Sequence, residues 1–246
     1  MKAVITFHSI DNKRSVISYS PRLFSSLLDI LADRNIPIYD LETLLKPEVE
    51  NGVTLTFDDG MKSVFTHALP VLRDYGASAH VFITTDAINN DRQWPYNHEN
   101  VPCYDMLGWR EIEQLHDEGI NIESHTQTHP DMREISMIQI EEECGSADRM
   151  ISERLGRTPQ YFAYPFGYHN ANTREFARRN YQASVTTEFR ALGKKEDKAV
   201  LPRLDSYYFR SNFILKRLDD FSIKSYFSVR WLLRTLKGSH CLPDAE

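Results

Sequence analysis

Val53-Thr54-Leu55-Thr56-Phe57-Asp58-Asp59-Gly60 is the stretch on which the fold turns. Its first five residues are β-branched or apolar and read as a strand, and the glycine behind two aspartates permits the sharp turn that ends it. From Ser63 to Tyr75 the apolar spacing changes to three and four residues, the period of a helix. A strand feeding a helix in this way is the repeating unit of a parallel sheet, and its crossovers are right-handed. The alternation recurs along the chain. Strands are expected at Ala3–Phe7, Ala79–Ile83, Ile120–Glu123, Tyr161–Tyr164 and Ala183–Thr186. Helices are expected at Pro21–Arg34, Arg110–Glu118, Ser136–Leu155, Thr173–Asn180 and Asn212–Asp220. An α/β chain of this kind predicts a distorted (β/α) barrel of the TIM-barrel type, with seven or eight strands.

A length of 246 residues suits one such catalytic domain, with 211–246 as a helical C-terminal segment. The net charge of -6 argues against a nucleic-acid partner, which would call for a basic surplus. No stretch approaches the roughly 18 uninterrupted apolar residues of a membrane span. The N-terminus turns polar soon after Phe7 and lacks the apolar core of a secretory signal, so a cytoplasmic location is expected. Between Lys216 and Lys237, Arg217, Lys224, Arg230 and Arg234 alternate with Phe221, Tyr226, Phe227 and Trp231. That pattern fits peripheral contact with the inner face of a membrane, or a closing helix whose aromatic side packs on the barrel. Cys103, Cys144 and Cys241 are odd in number and far apart, which suggests neither a disulfide framework nor a thiolate metal site.

Two adjacent carboxylates at a strand end repel each other unless their surroundings differ. A cation on one, with the other left to take a proton, gives Asp58 and Asp59 separate roles. The second group of reactive residues follows the strand-like Ile120–Glu123, in Ser124-His125-Thr126-Gln127-Thr128-His129-Pro130. Two imidazoles four residues apart, together with one carboxylate, make a common set of three protein ligands for a catalytic divalent ion with one position open to water. His8, Asp58, Asp59, His125, Tyr164, Pro165 and Arg203 all fall at or just after strand ends, the face on which barrel enzymes carry their chemistry.

Three blocks in this order resemble the polysaccharide deacetylase family, also called the NodB-homology or carbohydrate esterase family 4 group. The first is Thr56-Phe57-Asp58-Asp59-Gly60 with the downstream Ala68–Leu72 and Ala79–Phe82. The second runs from Trp109 through Gly119 into Ser124–Pro130, and the third is Phe162-Ala163-Tyr164-Pro165-Phe166-Gly167. The resemblance implies a hydrolase that removes an N-acetyl group from an amino sugar of a glycan or its precursor. It implies Asp59, His125 and His129 as ligands of zinc, or of cobalt or nickel, and Asp58 as the general base. Tyr164, Pro165, Phe166 and Gly167 would contact substrate, with the Phe166 N–H facing the oxyanion.

The chain departs from the family's pattern in three places. The arginine that precedes the Pro-aromatic pair is replaced at Ala163 or Tyr164, and Arg203 is the substitute we expect to hold Asp58. Where the family carries a Leu-x-His motif, this chain has Leu201-Pro202-Arg203, so the proton donor to the leaving amine falls to His8, with His169 and Asp205 as weaker candidates. The family's Asp-Trp motif has no clear counterpart after Val185. The other histidines, among them His80, are expected to be packing or surface residues. These departures keep two competing readings open: an amidase or deformylase acting on another N-acyl substrate, and a catalytically impaired carbohydrate-binding relative.

Overall fold

The computed structural model describes residues 1–88 and 102–217. In chain order its strands are β1 (Lys2–Phe7), β2 (Ser9–Ile10), β3 (Ser18–Tyr19), β4 (Gly52–Phe57), β5 (His80–Ile83), β6 (Asn121–Ser124), β7 (Tyr161–Ala163), β8 (Ala183–Val185) and β9 (Leu204–Asp205). The α-helices are α1 (Pro21–Asp33), α2 (Leu41–Leu44), α3 (Leu69–Asp74), α4 (Trp109–Asp117), α5 (Met137–Leu155), α6 (Ala171–Asn180) and α7 (Asn212–Leu215). Seven strands form one parallel sheet in the order β8-β7-β6-β5-β4-β1-β9, curled through 246° into the distorted barrel that the alternation predicts. The basic tail beyond Arg217, Cys241 and residues 89–101 of the Asn-rich loop lie outside the described residues.

Alternation along each strand decides what the sheet encloses. In β1, Ala3, Ile5 and Phe7 join a cluster with Phe24, Leu27, Leu28 and Leu31 of α1, so they face the helices. Val4 belongs instead to a cluster with Phe82, Tyr161, Ala163, Ala183, Val185 and Leu201. Those residues come from strands far apart in the sheet order, so they meet across its concave face. Leu41 and Leu44 of α2 join the same cluster and close the barrel at the end where the strands begin. Full burial of each aliphatic side chain of α1 contributes about 1.5–3 kcal/mol, enough to hold an isolated amphipathic helix against the sheet.

The segment after β8 finishes the curl. The Thr186 N–H donates to the Leu201 carbonyl at 2.9 Å and the Leu201 N–H to the Ser184 carbonyl at 2.8 Å, while Leu204 and Asp205 pair with Ile5 and Thr6. Residues 201–205 therefore bridge from one edge of the sheet to β1, with Arg203 between the two attachments. The helix expected over Ser63–Tyr75 divides in two. Pro70 has no N–H to offer Thr66 and crowds that carbonyl, and the Leu69 N–H reaches back to Val64 in one wide π turn before α3 begins. Among the described residues no helix is long and apolar enough to cross a membrane.

Candidate metal centre

The centre is built where β4, β6 and β7 end. The Asp58 N–H donates to the Phe7 carbonyl at 2.9 Å, extending the β1–β4 ladder by one bond before the chain turns. Asp59 then adopts φ 74° and Gly60 φ 81°, which swings the second carboxylate away from the first. Left-handed backbone is costly for residues with a Cβ, and among the described residues four of the five such non-glycine positions are Asp59, Thr126, His129 and Phe166. Backbone strain is thus concentrated at one place.

His125 follows β6, and its Nδ1–H donates to the Ala163 carbonyl at 2.7 Å. That bond leaves the Nε2 lone pair directed at Asp59 Oδ1, 3.4 Å away. His129 Nε2 lies 3.7 Å from the same oxygen, and the two rings are 4.7 Å apart at 74°. All three side chains are buried, with one ligand atom from each within 4.8 Å of the others. An imidazole lone pair aimed at a carboxylate oxygen repels it unless a cation lies between, so the donor set fits a divalent ion. Burial, reinforced by the neighbouring His125, pushes the His129 pKa down to about 3, so this ring is neutral as a ligand must be.

The turn that carries His129 is clamped by Glu143 of α5. Its carboxylate accepts the N–H groups of Gln127 (3.1 Å) and Thr128 (2.8 Å) and the Thr128 hydroxyl (2.6 Å). The hydroxyl of Thr126 accepts the His129 N–H at 3.0 Å. Neither Glu143 nor the Ala163 carbonyl stands out in the sequence. The one signal for Glu143 is a carboxylate in α5 after a turn whose N–H groups need an acceptor.

Asp58 points elsewhere. Both of its oxygens receive the Arg203 guanidinium, Nη1 to Oδ1 at 2.7 Å and Nη2 to Oδ2 at 2.6 Å. Arg203 is 1% exposed and also donates from Nε to the Thr186 carbonyl (2.9 Å) and from Nη1 to the Thr56 hydroxyl (3.3 Å). Burial alone would raise the Asp58 pKa, but the charge and hydrogen bonds of Arg203 outweigh it and hold the carboxyl at about 2. His8, half-buried one residue past β1, is near enough for its charge to act on both Asp58 and His129.

The third block makes a rigid turn at the end of β7. Phe166 has φ 58° and Gly167 φ 72°, and a Cβ on Gly167 would lie 2.5 Å from the Thr187 nitrogen. Pro165 and Gly167 are buried. The Phe166 ring packs 4.5 Å from His129 at 71°, next to the ligand set. Only the backbone of Tyr164 belongs to this wall. Its side chain turns to the helix layer with Phe162, Ile140 and Cys144, and its hydroxyl donates to the Ala199 carbonyl at 2.9 Å. His169 packs against the Tyr164 ring, and Asp205 accepts the Tyr207 N–H.

The family model for polysaccharide deacetylases matches residues 46–183. The chain is 27% identical over 160 residues to the Bacillus subtilis protein YxkH, covering 65% of this chain and 53% of that one. It is 24% identical over 170 residues to the poly-beta-1,6-N-acetyl-D-glucosamine N-deacetylase of Staphylococcus aureus, with the same coverage of 65% and 53%. The chain spans about half the length of the curated relatives it matches. Among solved structures, IcaB from Ammonifex degensii superposes with a TM-score of 0.72 at 20% identity, over 91% of this chain and 98% of that one. The Streptococcus pyogenes deacetylase PplD, solved in complex with acetate, gives 0.71 at 22% identity, over 82% and 91%. Both likenesses show the fold.

Proposed function

Because the chain belongs to the polysaccharide deacetylase family, we propose that it hydrolyses the N-acetyl group of an amino sugar in a glycan or glycan precursor, using a divalent cation held by Asp59, His125 and His129. The observation that carries this reading is the division of labour between adjacent carboxylates. Asp59 faces two imidazole nitrogens, while Asp58 is held apart by Arg203. Zinc, cobalt or nickel suits two imidazole nitrogens and a carboxylate oxygen, and when bound there it supplies a Lewis acid that polarises the acyl oxygen and acidifies water.

The chain's own residues do the rest. Asp58, held at about 2, is ionised throughout the neutral range and takes the proton of the attacking water at a carboxylate oxygen. Arg203 orients that carboxylate through both oxygens and restrains it from rotating. The Phe166 N–H, fixed by the left-handed turn, faces the oxygen that gains charge as the amide carbon becomes tetrahedral. His8 donates the proton that the leaving amine needs. Its position one residue past β1, within range for its charge to act on Asp58, supports that role.

Acetate release from N-acetylated amino sugars, set against simple formamides and amides, tests this reading. Asp58→Asn should lower release by about 10²–10⁴-fold while the metal content is retained. Equal release by the variant, or turnover of simple amides only, would contradict the reading.

A further inference from the structure

Arg210 follows β9 on the end of the barrel that carries the metal centre. Its Nη2 donates to the Val16 carbonyl at 2.6 Å, and its guanidinium covers the Tyr207 ring at 4.6 Å. Val16 belongs to the loop that leaves His8, where the Ser9 N–H donates to the neighbouring Ile17 carbonyl at 3.0 Å. The arginine is therefore anchored beside the strand end that supplies His8. It is half-buried, its Nε is buried with no hydrogen-bond partner, and among the described residues it forms no ion pair with a carboxylate. Arg157, Arg190 and Arg203 are withdrawn from water too, and each meets a carboxylate, at 2.8, 2.6 and 2.6 Å.

The acids around Arg210 are turned elsewhere. Asp205 accepts the Tyr207 N–H at 2.9 Å, and Asp11 accepts the Lys13 N–H at 2.7 Å. A second cation stands at the same corner, again outside any ion pair. Lys13 Nζ donates to the Cys103 carbonyl at 2.6 Å and lies 4.4 Å from the centre of the Tyr104 ring, whose hydroxyl feels the charge of Arg210. A guanidinium taken from water without an anion is unfavourable, and here burial outweighs the charge of Asp205 and pushes its pKa below the ordinary arginine value.

A ligand anion would supply the missing charge, and the planar fork of a guanidinium matches phosphate oxygens. An amino sugar inside a neutral glycan has no such group, whereas an activated precursor carries its sugar as a phosphate ester. Resting on the deacetylase reading above, we propose that Arg210 binds the phosphate of an activated amino sugar whose acetyl group enters the metal centre. Lys13 adds positive charge at the same corner. The substrate is then a sugar phosphate ester, and Arg210 sets specificity without taking part in hydrolysis.

The test is kcat/KM for acetate release by the metal-loaded full chain from four probes: N-acetylglucosamine, its neutral pentamer, its 1-phosphate and its uridine diphosphate ester. The proteins compared are the wild type, Arg210→Gln and Arg210→Lys. The wild type should favour one of the two phosphate esters over both neutral sugars by about tenfold or more, through KM, and the preference should weaken as salt is raised. Which ester is favoured tells a terminal phosphate from a nucleotide diphosphate. Arg210→Gln should cut that ratio by about tenfold, and Arg210→Lys, which keeps the charge but not the fork, should fall between. A wild type that favours neither ester overturns the inference, as does a preference that survives in Arg210→Gln at full metal content. If the wild type releases no acetate from any of the four, the deacetylase reading itself has failed, a result distinct from the other two.

Discussion

The barrel contains an acid, a histidine and an arginine at both of its ends, and the two sets differ in how their polar atoms are satisfied. On the floor, Glu123 is fully buried and accepts Arg157 Nη2 at 2.8 Å, the Gln160 N–H at 2.7 Å and the Tyr161 N–H at 3.0 Å. His80 beside it accepts the Leu41 N–H on Nε2 at 2.9 Å, which places its proton on Nδ1, 3.5 Å from Glu123. The floor carboxylate thus meets N–H donors, and the His80 Nδ1–H faces it without closing a hydrogen bond. At the mouth, by contrast, the His125 Nε2 lone pair meets an anionic oxygen. The same residue types make a structural plug where donors meet acceptors, and a cation site where acceptors converge.

The largest expected difference between mouth and floor is chemical. Asp58→Asn should cost two to four decades of acetate release, whereas Glu123→Ala, at the far end of the barrel, should bind the same amount of metal as the wild type. The second effect is on stability. Glu123→Ala leaves Arg157 and two buried N–H groups without their acceptor and should lower the free energy of unfolding by about 3 kcal/mol, read from urea denaturation. A loss of under about 1 kcal/mol would mean that the floor is not the plug.

Metal sharpens the contrast from the other side. A cation at a hundredfold excess over its dissociation constant should stabilise the wild type by about 2.7 kcal/mol, seen as a rise in melting temperature. Glu123→Ala should gain the same increment, and His129→Ala should gain none.

The smallest effect concerns a third carboxyl, Asp148 of α5. Its Oδ2 accepts the Tyr181 hydroxyl at 2.8 Å, and Oδ1 has no hydrogen-bond partner among the described residues. Burial therefore prevails and raises its pKa from 3.8 to about 6, the reverse of Asp58 beside its guanidinium. The signs follow from linkage. Asp58, depressed on folding, stabilises the protein above 3.8, and that contribution disappears as pH falls through about 2. Asp148, raised on folding, stabilises below 3.8, and its contribution disappears as pH rises through about 6. Asp148→Asn should remove a pH-dependent loss of about 2 kcal/mol between these values, seen as a flatter profile of urea midpoint against pH than the wild type gives.

Most of the barrel was legible because its strands carry long β-branched or apolar runs, and the helices between them keep a clear period. Leu204–Asp205 was not, because two residues carry no period, and their pairing depends on β1, some two hundred residues earlier. The π turn before α3 was hidden because apolar spacing does not register one extra residue in a turn. At the centre, strand ends and spacing grouped His125 and His129 with the Asp58-Asp59 pair, and the choice of Asp59 as the ligand came from the family resemblance. Arg203 was visible as a lone cation within Leu201–Leu204, although its burial and its second bond to Thr186 were not. For Tyr164 the strand alternation held the information: Tyr161 and Ala163 face the barrel interior, so Phe162 and Tyr164 face the helices. Glu143 acts on the His129 turn from a helix that begins after it, a contact made by the fold and not by any local pattern.

The measurement closest to the central claim is a calorimetric titration of zinc into the metal-free protein, compared with the same titration of a His125→Ala, His129→Ala double variant. One site per chain is expected in the wild type and none in the variant, with the difference in heat persisting when the buffer is changed. Equal stoichiometry in both proteins, or no site in a folded wild type, would contradict it.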